Sequence, residues 1–167
     1  MRHLIWLSAL LFSFPLLLSS ALASQWDTQT GKDRNGKAYV SLSLEQHGFY
    51  FALSCKGKQK KHDLQMVLVS DSFPNLYSVD DAEAKLTFRF NLPHGATYNA
   101  SMKAWYYAGD KAWTGPFSVD SGTLTFFADA KSLTLLNPEG KEVATFTMKG
   151  SSTAAKAVRS ICMSDLR

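Results

Sequence analysis

"KLTFRFNL", residues 85–92, decides the fold class. Leu86, Phe88, Phe90 and Leu92 are apolar, and the residues between them are polar. Successive side chains of an extended chain point to opposite faces, so this spacing makes a strand with one buried and one wet face. The same period recurs through the chain. Over residues 38–44 it turns Val40, Leu42 and Leu44 inward. Over residues 49–55 it puts Phe49, Phe51, Leu53 and Cys55 on one face, so the cysteine points with the core residues. Residues 64–69, 101–107, 122–127, 133–136 and 143–148 are the remaining strand candidates. Turn signals separate them: His47-Gly48, Lys56-Gly57-Lys58, Pro93-His94-Gly95, Ala108-Gly109-Asp110 and Asn137-Pro138-Glu139-Gly140. About seven to nine short strands with this punctuation predict a mainly β fold, an antiparallel β-sandwich or flattened barrel. Residues 70–84 form the longest irregular stretch and read as a surface loop.

The chain then changes period. In "GSSTAAKAVRSIC", residues 150–162, Ala154, Val158 and Ile161 recur at helical spacing with Cys162 beside them. Ser151 or Ser152 is placed to cap the helix start. A helix this short is marginal alone in water, so it must pack on the sheet. Cys55 and Cys162 are the two cysteines of the chain. In an exported protein an even count reads as one disulfide, the alternative being two separate buried thiols. The bond would close a loop of roughly 100 residues and stabilise the fold by about 4–5 kcal/mol in the chain-entropy picture. It would latch the helix as a lid on an open end of the sheet.

Export is read from residues 1–23. Arg2 and His3 make a short polar start, residues 4–18 are apolar apart from Ser8, Ser13 and the Pro15 break, and Ala21-Leu22-Ala23 is a small-x-small cleavage signal. This predicts a secretory signal peptide cut near Ala23, and hence a periplasmic or secreted protein. An uncleaved anchor is the alternative, but the apolar run is at the short end for crossing a bilayer. Residues 24–167 then form a single domain with 17 basic and 14 acidic residues, a net charge of +3. That balance permits contact with an anionic surface without demanding it.

Chemistry-bearing constellations are sparse. His47, His62 and His94 sit at predicted turns without metal-ligand spacing, so no metal and no cofactor is expected. No nucleophile motif occurs, and both cysteines are committed to the bridge. Asp80, Asp81 and Glu83 cluster on a polar loop, with only loose spacing for calcium and no sign of two carboxylates facing across a cleft. The chain is therefore expected not to be an enzyme. Two surface features remain. "CKGKQKKHD" gathers Lys56, Lys58, Lys60 and Lys61 in one hairpin connection. These lysines read either as a solvated loop that discourages sheet edges from pairing or as a docking patch for an anionic surface. "MKAWYYAGDKAW" supplies Trp105, Tyr106, Tyr107 and Trp113. Trp105 and Tyr107 share one strand face, with Tyr106 joining Met102 and Ala104 on the other. With Trp113, Trp105 and Tyr107 form a candidate aromatic surface for a glycan or a peptide.

Trp26, the strand over residues 39–45 and "FALSCKGKQKKHDLQMVL" (residues 51–68) together resemble periplasmic proteins in which a cysteine-bearing strand turns through a charged hairpin. The close of the chain, "FFADAKSLTLLNPEGKEVATFTMKGSSTAAKAVRSIC" (residues 126–162), resembles the end of the type VI secretion accessory family (TagO/VasI) and of invasion-associated locus B-like proteins. The resemblance spans most of residues 24–167. It implies an all-β domain with a C-terminal helix tied by Cys55–Cys162. The additional cysteines of those families have no counterpart here, so the resemblance carries the fold further than it carries secretion or invasion. The expected function is an exported, non-catalytic binding or accessory module linked to secretion or host interaction. Its expected partner is another periplasmic or envelope protein. Nucleic acid is not expected, and membrane contact is at most peripheral. The alternative is a ligand-binding protein, glycan-binding protein or inhibitor that uses the Trp105–Trp113 surface.

Overall fold

Alternation over residues 85–92 becomes a strand whose Leu86, Phe88 and Phe90 are fully buried. In the computed structural model, which describes residues 24–57 and 63–163, it is β5 (Glu83–Asn91) of a nine-stranded sheet. The others are β1 (Asp27–Lys32), β2 (Ala38–Gln46), β3 (Phe49–Lys56), β4 (Asp63–Ser70), β6 (Thr97–Tyr107), β7 (Ala112–Ser118), β8 (Ser132–Leu136) and β9 (Glu142–Thr147). Helix α1 (Ser121–Asp129) follows β7, and α2 (Ser151–Cys162) ends the described chain. Every pairing is antiparallel, in the order β1-β2-β3-β4-β7-β6-β5-β8-β9. The expected signal peptide (residues 1–23) lies outside the described residues.

The sheet is one curled layer rather than two separate ones. Between β6 and β7 only Trp105–Thr114, Tyr106–Trp113 and Tyr107–Ala112 pair, although β6 is eleven residues long. Just past this junction a Cβ on Gly115 would stand 2.3 Å from the Lys103 carbonyl oxygen. A residue without a side chain is what lets the two backbones come this close. The sheet turns its corner there and folds back on itself. Phe51 of β3 consequently stacks on Phe88 of β5 at 5.7 Å and meets Phe146 of β9 at 5.1 Å, while Phe117 of β7 packs edge-on to Phe88 at 4.6 Å. The expected flattened barrel is thus realised as a curled half-barrel.

Side chains close the seam between the two ends of the strand order. The Trp26 backbone N–H donates to the Lys149 carbonyl at 2.9 Å, and its indole Nε1–H to the Thr147 carbonyl at 3.0 Å. The same ring packs edge-on against Phe51 and Phe127. Gln46 Oε1 accepts from the Thr147 backbone N–H at 2.8 Å.

Two expectations about helices change. Residues 122–127, read as a strand, are the body of α1. Asp120 caps it, accepting from the Thr123 N–H at 2.6 Å, and that bond overrides the strand preference of the two threonines. The buried residues Thr123, Leu124 and Phe127 follow helical spacing. In α2 neither serine caps. Gly150 occupies the N-cap at φ 87°, a left-handed conformation suited to glycine, and a Cβ there would stand 3.0 Å from the Trp26 carbonyl. Ser151 is buried instead, its hydroxyl donating to the Ala128 carbonyl of α1 at 3.2 Å. The buried stripe of α2 is Ser151, Ala154, Ala155, Val158 and Cys162, with Ile161 only partly covered at its edge. The helix rests on α1 and on β1, β2 and β3. The disulfide joins Cys162 to Cys55 with a Cα–Cα distance of 6.4 Å, inside the usual range.

Candidate functional site

Strands β3, β4, β7 and β6 turn Phe51, Leu68, Trp113 and Tyr106 to the core and their alternate residues to the opposite face, where Ala52 and Ala112 are themselves buried. The register lines these outer residues up. Tyr50, Val69, Ala112 and Tyr107 stand in one row across the four strands, and Ala52, Val67, Thr114 and Trp105 stand in the next. Neighbouring strands are about 4.8 Å apart, so Tyr50 and Tyr107 flank a span of about 14 Å floored by small side chains. Tyr107 is 48% exposed and Tyr50 39%, while Trp105 is half-buried. Exposed aromatics lined up on one sheet face offer a large, stiff contact area at small entropic cost.

Ion pairs fix the borders of this surface. Glu83 lies opposite Trp105 on β5, and its carboxylate accepts from Lys103 Nζ at 2.9 Å. That contact holds the Glu83 carboxyl below its ordinary range, and the Trp105 indole adds a smaller pull in the same direction. Beyond the Val69–Ala112 pair, Lys111 Nζ donates to Asp71 at 2.7 Å, which lowers the aspartate and raises the lysine from their ordinary values. Exposed pairs of this kind contribute little to stability. Their effect here is to hold alternating charge around an aromatic centre.

The sequence-predicted surface residues divide. Trp105 and Tyr107 are on the outer face, and Tyr106 joins Met102 and Ala104 in the core as expected. Trp113 is not on the surface. It pairs with Tyr106, so it turns inward, is fully buried, and donates its indole N–H to the Ser78 hydroxyl at 2.9 Å. Tyr50 takes its place in the aromatic row, and its signal was an aromatic residue alternating with the core-facing residues of the 49–55 strand. Lys56 is exposed at the end of β3, while Lys58, Lys60, Lys61 and His62 lie outside the described residues. Lys56 helps line a cleft of about 420 Å³ with Ser54, Asp63, Gln65 and Pro116. The cleft adjoins the end of the outer face remote from Tyr50, about 20 Å along the strand.

The remaining candidates are dispersed. His47 and His94 occupy turns at positive φ. The Asp80 carboxylate accepts from the Ala108 N–H, Asp81 uses its backbone N–H on the Tyr106 carbonyl, and Glu83 is held by Lys103. Among the described residues no three His, Cys, Asp or Glu side chains gather as metal ligands would. No helix among them is long and apolar enough to cross a membrane. Comparison with protein-family models, with characterised proteins and with solved structures finds no match for this chain.

Proposed function

We propose that this protein is an exported, non-catalytic binding or accessory module of the cell envelope, and that its outer aromatic face docks another envelope or periplasmic protein. The observation that carries the reading is the alignment of Tyr50, Trp105 and Tyr107 on one rigid sheet face, bordered by the Lys103–Glu83 and Lys111–Asp71 pairs. An aromatic centre inside a polar, charged rim is the anatomy of a protein–protein interface, and Trp and Tyr are the residues on which binding energy concentrates there. Export is supported by the leader-like composition of residues 1–23, and the resemblance to secretion- and invasion-associated proteins points to the same compartment. A glycan platform is less favoured, since burial of Trp113 removes one of the three rings it called for.

The test is binding of the native partner, recovered by cross-linking in the envelope, to a Trp105→Ser/Tyr107→Ser double variant. Both side chains point away from the core, so the fold should persist by circular dichroism while affinity falls at least tenfold. An unaltered affinity would exclude this face. Binding abolished by simple sugars would transfer the surface to the glycan reading.

A further inference from the structure

We infer that the edge of β6 over Thr97, Asn99 and Ser101 pairs with β6 of a second copy of this chain, antiparallel across a twofold axis at Asn99. The inference is independent of the outer aromatic face.

The β6 backbone alternates its polar groups between the β5 side and the opposite side. Tyr106 gives its N–H to the Ala82 carbonyl and accepts from the Asp81 N–H, so its polar groups face the β5 side. The β5–β6 register then runs without a shift over nine pairs, from Glu83–Trp105 to Asn91–Thr97. Backbone groups alternate in direction along an antiparallel strand, so those of Trp105, Ser101, Asn99 and Thr97 face the other way. Trp105 meets β7 there. Among the described residues, no strand pairs with Thr97, Asn99 or Ser101 on that side.

Unpaired edges invite other strands, and proteins ordinarily blunt them with charge, proline, bulges or a covering element. The other edges of this sheet carry such devices. The open part of β7 contains Pro116, whose missing N–H suits an edge. Against β1 lies α2, and next to it Trp26 reaches across to the end of β9. In β9 a register shift opposes Leu135 and Leu136, and the Thr147 N–H is taken by Gln46. The stretch "TYNAS", residues 97–101, has no proline, no charge and no bulge. The nearest charges are Lys103 along the strand, already held by Glu83, and Arg89 of β5, which lies opposite Asn99 on the neighbouring strand.

The stretch is also complementary to itself. A twofold axis at Asn99 sets Asn99 opposite Asn99 and Thr97 opposite Ser101, so amide meets amide and hydroxyl meets hydroxyl on the outer face. Tyr98 falls opposite Ala100 on the inner face, a large side chain against a small one. The Thr97–Ser101 pair is of a favourable cross-strand type, and no like charges face one another. The two sheets then run as one through β8-β5-β6 of each copy.

Sedimentation of the purified protein over a concentration series gives the first readout. A monomer–dimer equilibrium is expected, with association at least tenfold weaker in Asn99→Lys, which sets two cations face to face at the axis. Gln29→Lys on β1 should leave it unchanged. The second readout is mild oxidation of Asn99→Cys, a variant too conservative to unfold the strand. Directly opposed Cα atoms of an antiparallel pair are about 5.5 Å apart, within disulfide range. Asn99→Cys should therefore cross-link to itself, while Thr97→Cys, offset from its own copy by four residues, should not. A monomer at every concentration, a dimer indifferent to Asn99→Lys, or a dimer broken by Gln29→Lys overturns the inference. So does cross-linking at Thr97→Cys in place of Asn99→Cys.

Discussion

Replacing Trp26 should loosen the seam of the half-barrel by an amount that separates its two contributions. Its ring is buried between Phe51 and Phe127, with centroids at 5.3 and 5.0 Å, and its indole N–H satisfies the Thr147 carbonyl. Trp26→Phe keeps most of the aromatic packing and removes the donor, leaving a partly buried carbonyl without its partner. That should cost about 1–2 kcal/mol. Trp26→Ala also empties the space between the two phenylalanines, and removal of a buried aromatic costs about 3–5 kcal/mol. The backbone bond from Trp26 to Lys149 survives both changes, so the difference between the variants isolates the ring. Urea unfolding followed by far-ultraviolet circular dichroism is the assay. It should show a lower midpoint with an unchanged slope, because the native fold is otherwise the same. Hydrogen exchange should quicken first in the opening turn of α2, where Gly150 lies against the Trp26 backbone. A Trp26→Ala variant within 1 kcal/mol of the native protein would refute the idea that this residue closes the seam.

The latch and the cap give two further tests. Cys162→Ser opens a link between residues 107 apart in sequence, so it should destabilise the protein by up to about 4–5 kcal/mol. The amides of α2 should then exchange before those of the strands, and a uniform loss of protection would contradict a latch. In the same helix Val158→Ala should cost about 2 kcal/mol. Ile161→Ala should cost less, because Val158 is fully buried and Ile161 is not. Asp120→Ala should cost about 1 kcal/mol at neutral pH through loss of the α1 cap. The backbone N–H of Thr123 lowers the Asp120 carboxyl in the folded state from its ordinary 3.8. Its stabilising effect is therefore complete above that value and fades as pH falls through the lowered folded one. The gap between the native protein and the variant should shrink below about pH 4 and stay constant on the alkaline side; a gap that widened in acid would rule out this cap.

Strands with one wet and one buried face were legible because burial imposes the period of two directly. Residues 85–91, 38–44 and 49–55 fall within β5, β2 and β3 with the expected faces inward, although Leu92 lies past the end of β5 and both it and Phe49 are only partly buried. The strand β1, "DTQTGK", gave no such signal because none of its residues is fully buried. It is held by its ladder with β2 and by the Tyr39 ring lying over Gly31. In β7, Gly115 and Pro116 look like breakers, yet one permits the close approach to β6 and the other sits on an open edge. The α1 segment alternates threonine with Leu124 and Phe126, and the bond that the Thr123 N–H donates to the Asp120 carboxylate is what reveals the helix. The aromatic surface was half legible. Which side Trp105 and Tyr107 share follows from a single strand, whereas the inward turn of Trp113 depends on the pairing between β6 and β7.

A docking role requires that the outer face be covered by a partner in the cell envelope. A photo-cross-linking phenylalanine analogue at Tyr107 reports on that face, and one at Tyr50 reports on its far side. One at Asn35, exposed in the β1–β2 turn, serves as the reference. Illumination of intact cells should yield the same discrete heteromeric adduct from positions 107 and 50 and none from position 35. No adduct from position 107, or an identical ladder from all three, would contradict a docking role for this surface.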